Sequence, residues 1–433
     1  MSDLPEGWVD TILSEVAETK LGKMLSKKSK TGVGSRPYLR NKNVQWWRFD
    51  LSDVGEMDFS DTEFSKFALR DGDLLVCEGG EVGRCAIWRG QIPGCCYQKA
   101  VHRVRPHRGV LAEYLQYVMR FLADSNALEK HVTGSTIKHL PQEDLRILSM
   151  PLPPTTEQTR IVAAIEEQFS RLDAAEEGLR HGLLNVYRFR ASARALATRV
   201  DSPIVKLSEV TAAQGYGSSA KATQDSSQGV PMLRMGNIVD GRFTFDDLKY
   251  LPDDHPDVAK YELQEGDLLF NRTNSPELVG KTAVFKGRRR ALFASYLIRI
   301  RLLPECEPDW ASLVINGPLG RSYIAEVRTQ QVGQANVNGT KLAALPVPLP
   351  PIEEQRRIVA EVERQLSIAD AMQAAIDSAL AKSARLRRSI LDRAFRGTLV
   401  PQDPTDEPAS VLLDRIRAER VVEPKKRRTR AKA

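Results

Sequence analysis

The sequence has 433 residues, 42% of them hydrophobic, with 63 Lys and Arg against 56 Asp and Glu. This length predicts two or three domains, and the composition is typical of globular folds. No apolar run reaches about 18 residues, which excludes a transmembrane helix. The first residues lack the pattern of a signal peptide, and the five cysteines show no CxxC spacing. We therefore expect a cytoplasmic protein without a membrane partner.

The net charge of +7 is compatible with a polyanionic partner but does not require one. Part of the excess is concentrated near the C-terminus, where residues 425–432 carry positive charges and no acid. This basic tail fits either a solvated, solubilising segment or an arm that binds nucleic acid.

The second half of the sequence repeats the first. Residues 13–16 (Leu-Ser-Glu-Val) recur at 207–210, an offset of 194, and residues 151–154 (Pro-Leu-Pro-Pro) recur at 348–351, an offset of 197. The three extra residues fall within 271–277. Because solenoid repeats are about 20–50 residues long, this period indicates a duplicated pair of domains.

Each half begins with a β-rich globular stretch and ends in a helical pattern. Residues 74–77 and 82–88 flank a glycine turn and predict a hairpin, and alternation at 100–104 and 297–302 predicts strands. An apolar face at 110–125 predicts a helix. The predicted boundaries are 1–150 and 201–347 for the globular stretches, 151–200 and 348–396 for the helices, and 397–433 for a C-terminal segment.

Apolar residues spaced by three and four follow each Pro-Pro pair, as in packed helices. In the first copy they are Ile161, Ile165, Phe169, Leu172, Ala175, Leu179, Leu183 and Val186, and in the second Ile358, Val362, Leu366, Ala369, Met372, Ile376, Leu380 and Ser383. About 40 residues at ~1.5 Å each make a rod of ~60 Å. We predict an α+β protein with two globular domains separated by an antiparallel coiled coil, in a pseudo-twofold repeat. Such symmetry suits two half-sites on one DNA duplex.

Specific motifs give the sequence a family resemblance. Pro-Leu-Pro-Pro-x-x-Glu-Gln-x-x-Ile-Val occurs at 151–162 and 348–359, the helix exit has Arg-Gly-Thr-Leu-Val-Pro at 396–401, and Gly-Ser-Thr-Ile-Lys-His-Leu-Pro stands at 134–141. With the doubled layout, these motifs resemble the specificity subunit of Type I restriction-modification systems over residues 4–420. The second copy departs from the family pattern at 333–338.

The resemblance implies a division of labour. It implies two target-recognition domains that each read one half of a bipartite, asymmetric DNA target, with the coiled coil setting the gap. It implies a subunit that performs no chemistry and holds no cofactor. Two modification subunits with S-adenosylmethionine would methylate adenine N6, and a restriction subunit with ATP and Mg²⁺ would translocate and cleave double-stranded DNA.

The catalytic and metal-binding motifs that we compared with the sequence are absent or incomplete in it. No Asn-Pro-Pro-Tyr or Asp-Pro-Pro-Tyr is present, and residues 280–282 (Gly-Lys-Thr) lack the earlier glycine of a phosphate-binding loop. Asp247 and Lys249 form an Asp-x-Lys sequence of the kind found in nuclease motifs, but no clear second acid accompanies it. Cys77, Cys85, Cys95 and Cys96 are spaced poorly for zinc, so we interpret them as buried strand residues.

The candidate DNA contacts are Arg, Lys, Asn and small residues on predicted loops and strands. In the first domain they are Lys20, Lys23, Lys27, Lys28, Arg40, Asn43, Arg84, Lys99, Gly134, Ser135 and Thr136. The lysine-rich stretch also fits a solvated loop, and Gly22 within it could let backbone approach the DNA. In the second domain they are Tyr216, Ser218, Lys221, Arg234, Asn237, Asn271, Arg272 and Asn274. Because the Arg40–Asn43 spacing recurs as Arg234–Asn237, these pairs fit turn capping as well as base reading.

Two other functions remain open at this stage. One is the same architecture in a methylation-only system. The other is a coiled-coil scaffold whose globular domains bind protein, which the salt dependence of DNA binding separates from the first interpretation.

Overall fold

A computed structural model describes residues 4–26, 31–134, 138–198, 200–225, 229–331 and 333–422. The chain forms two compact units: a first unit of Met1–Glu177 with Ala379–Ala433, and a second unit of Gly178–Ser378. Among the described residues, the helices include none that is long and apolar enough to cross a membrane. The unit boundaries fall inside the long helices, so the domain boundaries stated above stay predictions.

The first unit begins with a β-rich globular part. Its strands are β1 (Val9–Ile12), β2 (Ala17–Leu21), β3 (Ser35–Leu39), β4 (Gly55–Asp58), β5 (Leu74–Cys77), β6 (Cys85–Ile87), β7 (Cys96–Tyr97), β8 (Val101–Pro106) and β9 (Ser149–Leu152). Its helices are α1 (Leu13–Val16), α2 (Asp61–Phe67), α3 (Ala112–Asp124) and α4 (Gln142–Arg146). An antiparallel sheet has the order β2-β8-β5-β6, a second has the order β4-β3-β7 with β3 and β7 parallel, and β1 pairs with β9. The predicted hairpin is β5–β6.

The helix α5 (Thr155–Arg194) follows, and its second half belongs to the second unit. The strands of that unit are β10 (Ile204–Lys206), β11 (Thr211–Tyr216), β12 (Val230–Leu233), β13 (Ile238–Val239), β14 (Arg242–Phe243), β15 (Lys249–Leu251), β16 (Leu268–Asn271), β17 (Thr273–Asn274), β18 (Thr282–Val284), β19 (Leu292–Phe293), β20 (Leu297–Leu302), β21 (Thr329–Gln331), β22 (Gln334–Asn336) and β23 (Pro346–Pro348). The helices are α6 (Pro256–Tyr261), α7 (Pro308–Asn316), α8 (Pro318–Val327) and α9 (Gly339–Ala343), followed by α10 (Ile352–Phe395) and, in the first unit, α11 (Ala409–Val422).

The second globular part repeats the sheets of the first. Sheet β11-β20-β16-β18 corresponds to β2-β8-β5-β6, β15-β12-β19 to β4-β3-β7, and β10-β23 to β1-β9. The additional sheet β17-β22-β21 forms where the sequence contains its three extra residues. The internal repeat and the α+β fold predicted from the sequence are therefore confirmed.

The central sheets are buried on both faces, which explains their uninterrupted hydrophobic strands. Phe270 and Ile298 pack into a core with Trp310, whereas Leu269 and Leu297 pack into a separate core on the other face. Because side chains alternate along a strand, this arrangement requires apolar residues at successive positions. The strand predicted at 297–302 is β20.

Each long helix begins where a buried glutamine anchors it. Gln158 accepts a hydrogen bond from the Leu111 backbone N–H (3.0 Å) and donates to the Pro153 carbonyl (3.1 Å). Gln355 likewise accepts from Glu307 N–H and donates to the carbonyls of Glu305 and Pro350. Both glutamines are fully buried. The glutamine of the repeated motif thus attaches each helix to the domain before it.

The two long helices pack antiparallel within each unit. In the first unit, Arg387 of α10 forms ion pairs with Asp173 (2.6 Å) and Glu176 (3.2 Å) of α5. In the second, Arg190 of α5 lies 2.8 Å from Asp370 of α10. Most of the predicted seam is buried or partly buried, which confirms the packing. Met372 is 46% exposed and Ala175 is exposed as well, so their places in the predicted seam were wrong.

The C-terminal segment completes the first unit. Leu412, Leu413 and Ile416 of α11 enter its core, and Asp406 binds Arg160 at 2.6 Å. The basic tail at 425–432 lies outside the described residues.

Candidate nucleic-acid interface

Arg272 and Glu78 occupy the same backbone position in the two globular parts. The Glu78 N–H donates to the Ala100 carbonyl (3.0 Å), and its carbonyl accepts from Leu140 N–H (2.7 Å). The Arg272 N–H donates to the Tyr296 carbonyl (3.1 Å), and its carbonyl accepts from Val337 N–H (2.9 Å). Each residue directly follows the central strand β5 or β16. The scaffold therefore presents two different side chains from equivalent points.

In the second unit, Arg272 is the centre of a polar and aromatic surface, which we call the Arg272 corner. It consists of Tyr216, Arg272, Thr273, Tyr296 and Asn336. The Arg272 guanidinium lies over the Tyr216 ring, 4.8 Å from its centroid, and Asn336 Nδ2 donates to Thr273 Oγ1 at 2.7 Å. Tyr216 is 45% exposed and Tyr296 is 50% exposed. Exposed aromatic rings beside an arginine supply stacking surfaces and hydrogen-bond donors for nucleic acid.

The charge of Arg272 is not neutralised inside the protein. Within the described parts of the chain, no carboxylate pairs with it, and its buried Nε has no hydrogen-bond partner. Arg301, by contrast, pairs with the buried carboxylate of Asp267 at 2.7 Å. Arg272 therefore keeps donors and charge for a ligand. Asn274, also predicted from the sequence, adjoins the corner on β17 and accepts a hydrogen bond from Ser275 N–H.

The corresponding surface of the first unit, which we call the Glu78 corner, has different chemistry. It consists of Leu21, Glu78, Gly79, Ala100 and His139, the counterparts of the five residues of the Arg272 corner by strand register and backbone hydrogen bonds. An acid thus replaces the arginine, and two small or aliphatic residues replace the tyrosines.

Two predicted residues lie beside the Glu78 corner. Lys99 is exposed immediately before Ala100. Arg84 donates to the carbonyl and side-chain oxygens of Asn41, and Asn41 Nδ2 donates to the Gly79 carbonyl at 2.6 Å. Arg84 therefore holds Asn41, and through it Gly79, by internal hydrogen bonds, and its side chain is only slightly exposed.

Lys20 in β2 and Lys23 just after it, the two candidate lysines of this stretch that the structure describes, are held by internal contacts. Lys23 Nζ donates to Glu63 Oε2 and to the Asp58 carbonyl, each at 2.7 Å. Lys20 lies half-buried near the Phe67 ring. Its pKa is lowered mainly by burial and, to a smaller extent, by the nearby positive charge of Arg103. A Cβ on Gly22 would stand 2.2 Å from the Gln98 carbonyl oxygen, so this glycine permits contact between two strands and not backbone approach to DNA.

The repeated Arg–Asn pairs cap turns. Asn43 is buried, and its side chain accepts from Arg40 N–H and donates to the carbonyls of Asp50 and Asp53. Arg40 in turn pairs with Asp53 at 2.7 Å. Asn237 and Arg234 repeat these contacts around Asp246 and Asp247. Of the two interpretations open from the sequence, the geometry supports turn capping.

The remaining candidates are scattered. Ser218 is buried and donates to Asp257, and Asn271, which precedes Arg272 in the chain, is also buried. Lys221 is exposed, and Gly134 adopts a positive φ of 93° in the loop before His139. Four predicted contacts lie outside the described residues: Lys27, Lys28, Ser135 and Thr136.

Sequence reasoning missed Glu78, Tyr296, Asn336 and His139. Glu78 could have been found by reading the offset of 194 residue by residue, because it aligns with Arg272. Tyr296 carries no such signal, since its exposure depends on the turn that precedes β20.

The residues of the zinc-site and phosphate-binding motifs discussed above have structural positions. Cys77, Cys85, Cys95 and Cys96 are buried in or beside strands, and burial raises the pKa of Cys77 to about 11 and of Cys95 to about 12. Thr282 of the Gly-Lys-Thr sequence is buried at the start of strand β18, whereas a phosphate-binding loop leads into a helix.

Comparison with known proteins gives a consistent result. The family model of the Type I restriction modification DNA specificity domain matches residues 5–184 and 200–377. The Type I restriction enzyme EcoKI specificity subunit of Escherichia coli (strain K12) is 26% identical, with 99% of each chain covered. The StySPI specificity subunit of Salmonella potsdam is 25% identical, again over 99% of each chain.

Solved structures show the same fold. A chain from a study of complex assembly and conformational transition of the type I R-M system superposes with a TM-score of 0.73 at 21% identity, covering 92% of this chain and 100% of that one. The HsdS subunit from Thermoanaerobacter tengcongensis gives a TM-score of 0.58 at 21% identity, covering 92% and 98%. The family match, and not the shared fold, favours DNA recognition over a protein-binding scaffold.

Proposed function

The chain belongs to the Type I restriction-modification DNA specificity family, and we propose that it is the subunit that selects the DNA target of such a complex. The observation that carries the proposal is the family match to both repeats, together with an unpaired arginine and exposed tyrosines on the second. Each globular part would read one half of a split target. Because the two corners differ at every corresponding position, the half-sites would differ too.

We propose that the chain contributes recognition and positioning, with the chemistry on its partners. Two modification subunits would bind S-adenosylmethionine and methylate adenine N6, and a restriction subunit would use ATP and Mg²⁺. The relatives EcoKI and StySPI, which are named as specificity subunits of Type I restriction enzymes, support this assignment.

Selection from a random DNA pool tests the proposal. The chain, in complex with the modification subunits of its own system, is incubated with duplexes randomised over about 20 base pairs, and bound molecules are sequenced. We expect two short specified blocks separated by a fixed gap. The modification subunits alone serve as the control and should enrich no split motif.

Salt dependence provides an independent measurement on the selected duplex. Each phosphate contact contributes a slope of about −0.9 in log K against log salt, so affinity should fall steeply with ionic strength. Failure to enrich any motif, or a DNA affinity that does not change with salt concentration, would contradict the proposal.

A further inference from the structure

We infer that Arg272 and Glu78 are equivalent specificity-determining residues, and that Arg272 selects a guanine in one half-site while Glu78 selects a cytosine in the other. This inference rests on the proposed function. It assigns opposite hydrogen-bonding roles to one scaffold position that occurs twice in the chain.

The equivalence of the two positions follows from backbone contacts. Both residues end a central strand, donate their N–H to the turn before β8 or β20, and accept at their carbonyl from the segment before α4 or α9. Four backbone hydrogen bonds of 2.7–3.1 Å define this arrangement. A change of side chain here alters what the surface presents without altering the strand that carries it.

Arg272 has the properties of a base-reading arginine. Stacking on Tyr216 orients the guanidinium, and no acid among the described residues competes for it. Since its Nε is buried, its terminal nitrogens are the donors left for a ligand. The guanine major-groove edge offers two acceptors, O6 and N7, which match the two donors of an arginine fork.

Glu78 has the complementary chemistry. Its side chain is half-buried, with no hydrogen-bond donor to its carboxylate among the residues that the structure describes. A carboxylate beside DNA repels phosphates, so it is favourable only where it accepts a hydrogen bond from a base. The N4 amino group of cytosine is the major-groove donor that Glu and Asp accept from. Exposed Lys99, close in sequence to Ala100 of the same corner, provides positive charge for the flanking backbone.

The test repeats the random-pool selection with variants of the complex. Arg272→Glu should leave one block of the split motif unchanged and abolish the preference for guanine at one position of the other block. Arg272→Lys, which keeps the charge but loses the fork, should reduce that guanine preference by about tenfold. Glu78→Gln should relax one cytosine position in the opposite block only.

Arg289→Glu is the matched control. Arg289 also lies on an aromatic ring of the second unit, 3.9 Å from the Phe245 centroid, but outside the Arg272 corner. Its replacement should leave both blocks of the motif unchanged. Thermal unfolding of each variant identifies any loss caused by misfolding, and the conservative Arg272→Lys keeps the test decisive if Arg272→Glu is unstable.

The possible failures are distinguishable. If the unmodified complex enriches no split motif, the proposed function fails. If it enriches one and a folded Arg272→Glu or Arg272→Lys complex selects the identical motif, Arg272 does not determine specificity and this inference is overturned. The assignment of Glu78 to a cytosine is likewise overturned if a folded Glu78→Gln complex leaves every cytosine position of the motif unchanged.

Discussion

The ammonium group of Lys23 lies 2.7 Å from the Glu63 carboxylate, in the first turn of helix α2. Its counterpart in the second unit, Ser218, donates its hydroxyl to Asp257 in the first turn of α6. Both contacts connect the segment that follows β2 or β11 to a short helix. One scaffold contact is thus made by an ion pair in one unit and by a neutral donor in the other.

Lys23→Ala should therefore lower stability and leave the electrostatics of DNA binding unchanged. The Lys23 bond holds the pKa of Glu63 below its ordinary value, and Lys23 is only 14% exposed. Its loss should cost about 1–2 kcal/mol in the free energy of unfolding measured with denaturant. A smaller salt slope of DNA affinity in a stably folded variant would show that Lys23 contacts phosphate instead.

Lys99→Ala should have the opposite pattern. Lys99 is exposed beside the Glu78 corner, so its removal should leave unfolding unchanged within about 0.5 kcal/mol. If it contacts one phosphate, the slope of log K against log salt should become shallower by about 0.9. An unchanged slope would remove Lys99 from the interface. Lys221→Ala is the parallel variant for the second unit.

Tyr117→Leu should open a cavity in the first unit. Tyr117 is buried, with its ring 5.1 Å from Trp47 and 5.9 Å from Phe169. In the corresponding region of the second unit, a cavity of about 340 Å³ is lined in part by Gly241 and Leu313. We expect a loss of about 1–3 kcal/mol in the free energy of unfolding. A loss below about 0.5 kcal/mol would show that the aromatic cluster adds little to stability.

Much of the fold was predictable because hydrophobic periodicity reflects burial. The hairpin β5–β6, the strand β20 and the two long helices all have strong local patterns. Met372 was placed wrongly because a periodic pattern identifies a helix face but not where its partner stops covering it. The repeated motif also revealed the duplication without any structural information.

The candidate site was less predictable because partners distant in sequence determine which charges remain free. Lys23 and Arg272 are equally suitable DNA contacts by residue type. Lys23 meets an acid 40 residues away, whereas Arg272 lies over a tyrosine ring and pairs with no acid among the described residues. No local sequence pattern distinguishes these two outcomes.

His102 should make the first unit less stable in mild acid. It is buried in β8, where burial lowers its pKa despite the opposing effects of its bond to the Leu140 carbonyl and of the Glu78 charge. The unfolded chain therefore binds the proton more readily than the folded one. Stability should be complete above pH ~6.5 and fall as the pH drops below that value.

His102→Ile tests this assignment. The second unit has Ile298 at the same sheet position, so the substitution suits the scaffold. The variant should lose part of the pH dependence of unfolding between pH 7 and pH 5. An identical pH profile for both proteins would exclude His102 as its source.

Gln158→Ala should be strongly destabilising, and Gln355→Ala likewise. Each glutamine is fully buried and satisfies backbone groups of two different segments. Leaving these groups unpaired should cost about 2–4 kcal/mol in the free energy of unfolding. Gln365→Ala is the control, because Gln365 bonds to Glu361 on its own helix, and it should cost less than about 1 kcal/mol. Equal losses for the buried and control positions would contradict the anchoring role.

Mapping of N6-methyladenine across the genome of cells with and without this gene tests the central claim most directly. We expect that deletion removes methylation at one split, asymmetric motif and that restoring the gene restores it. An unchanged methylation pattern in cells whose modification subunits are present and active would contradict the account of this chain as the subunit that selects the DNA target.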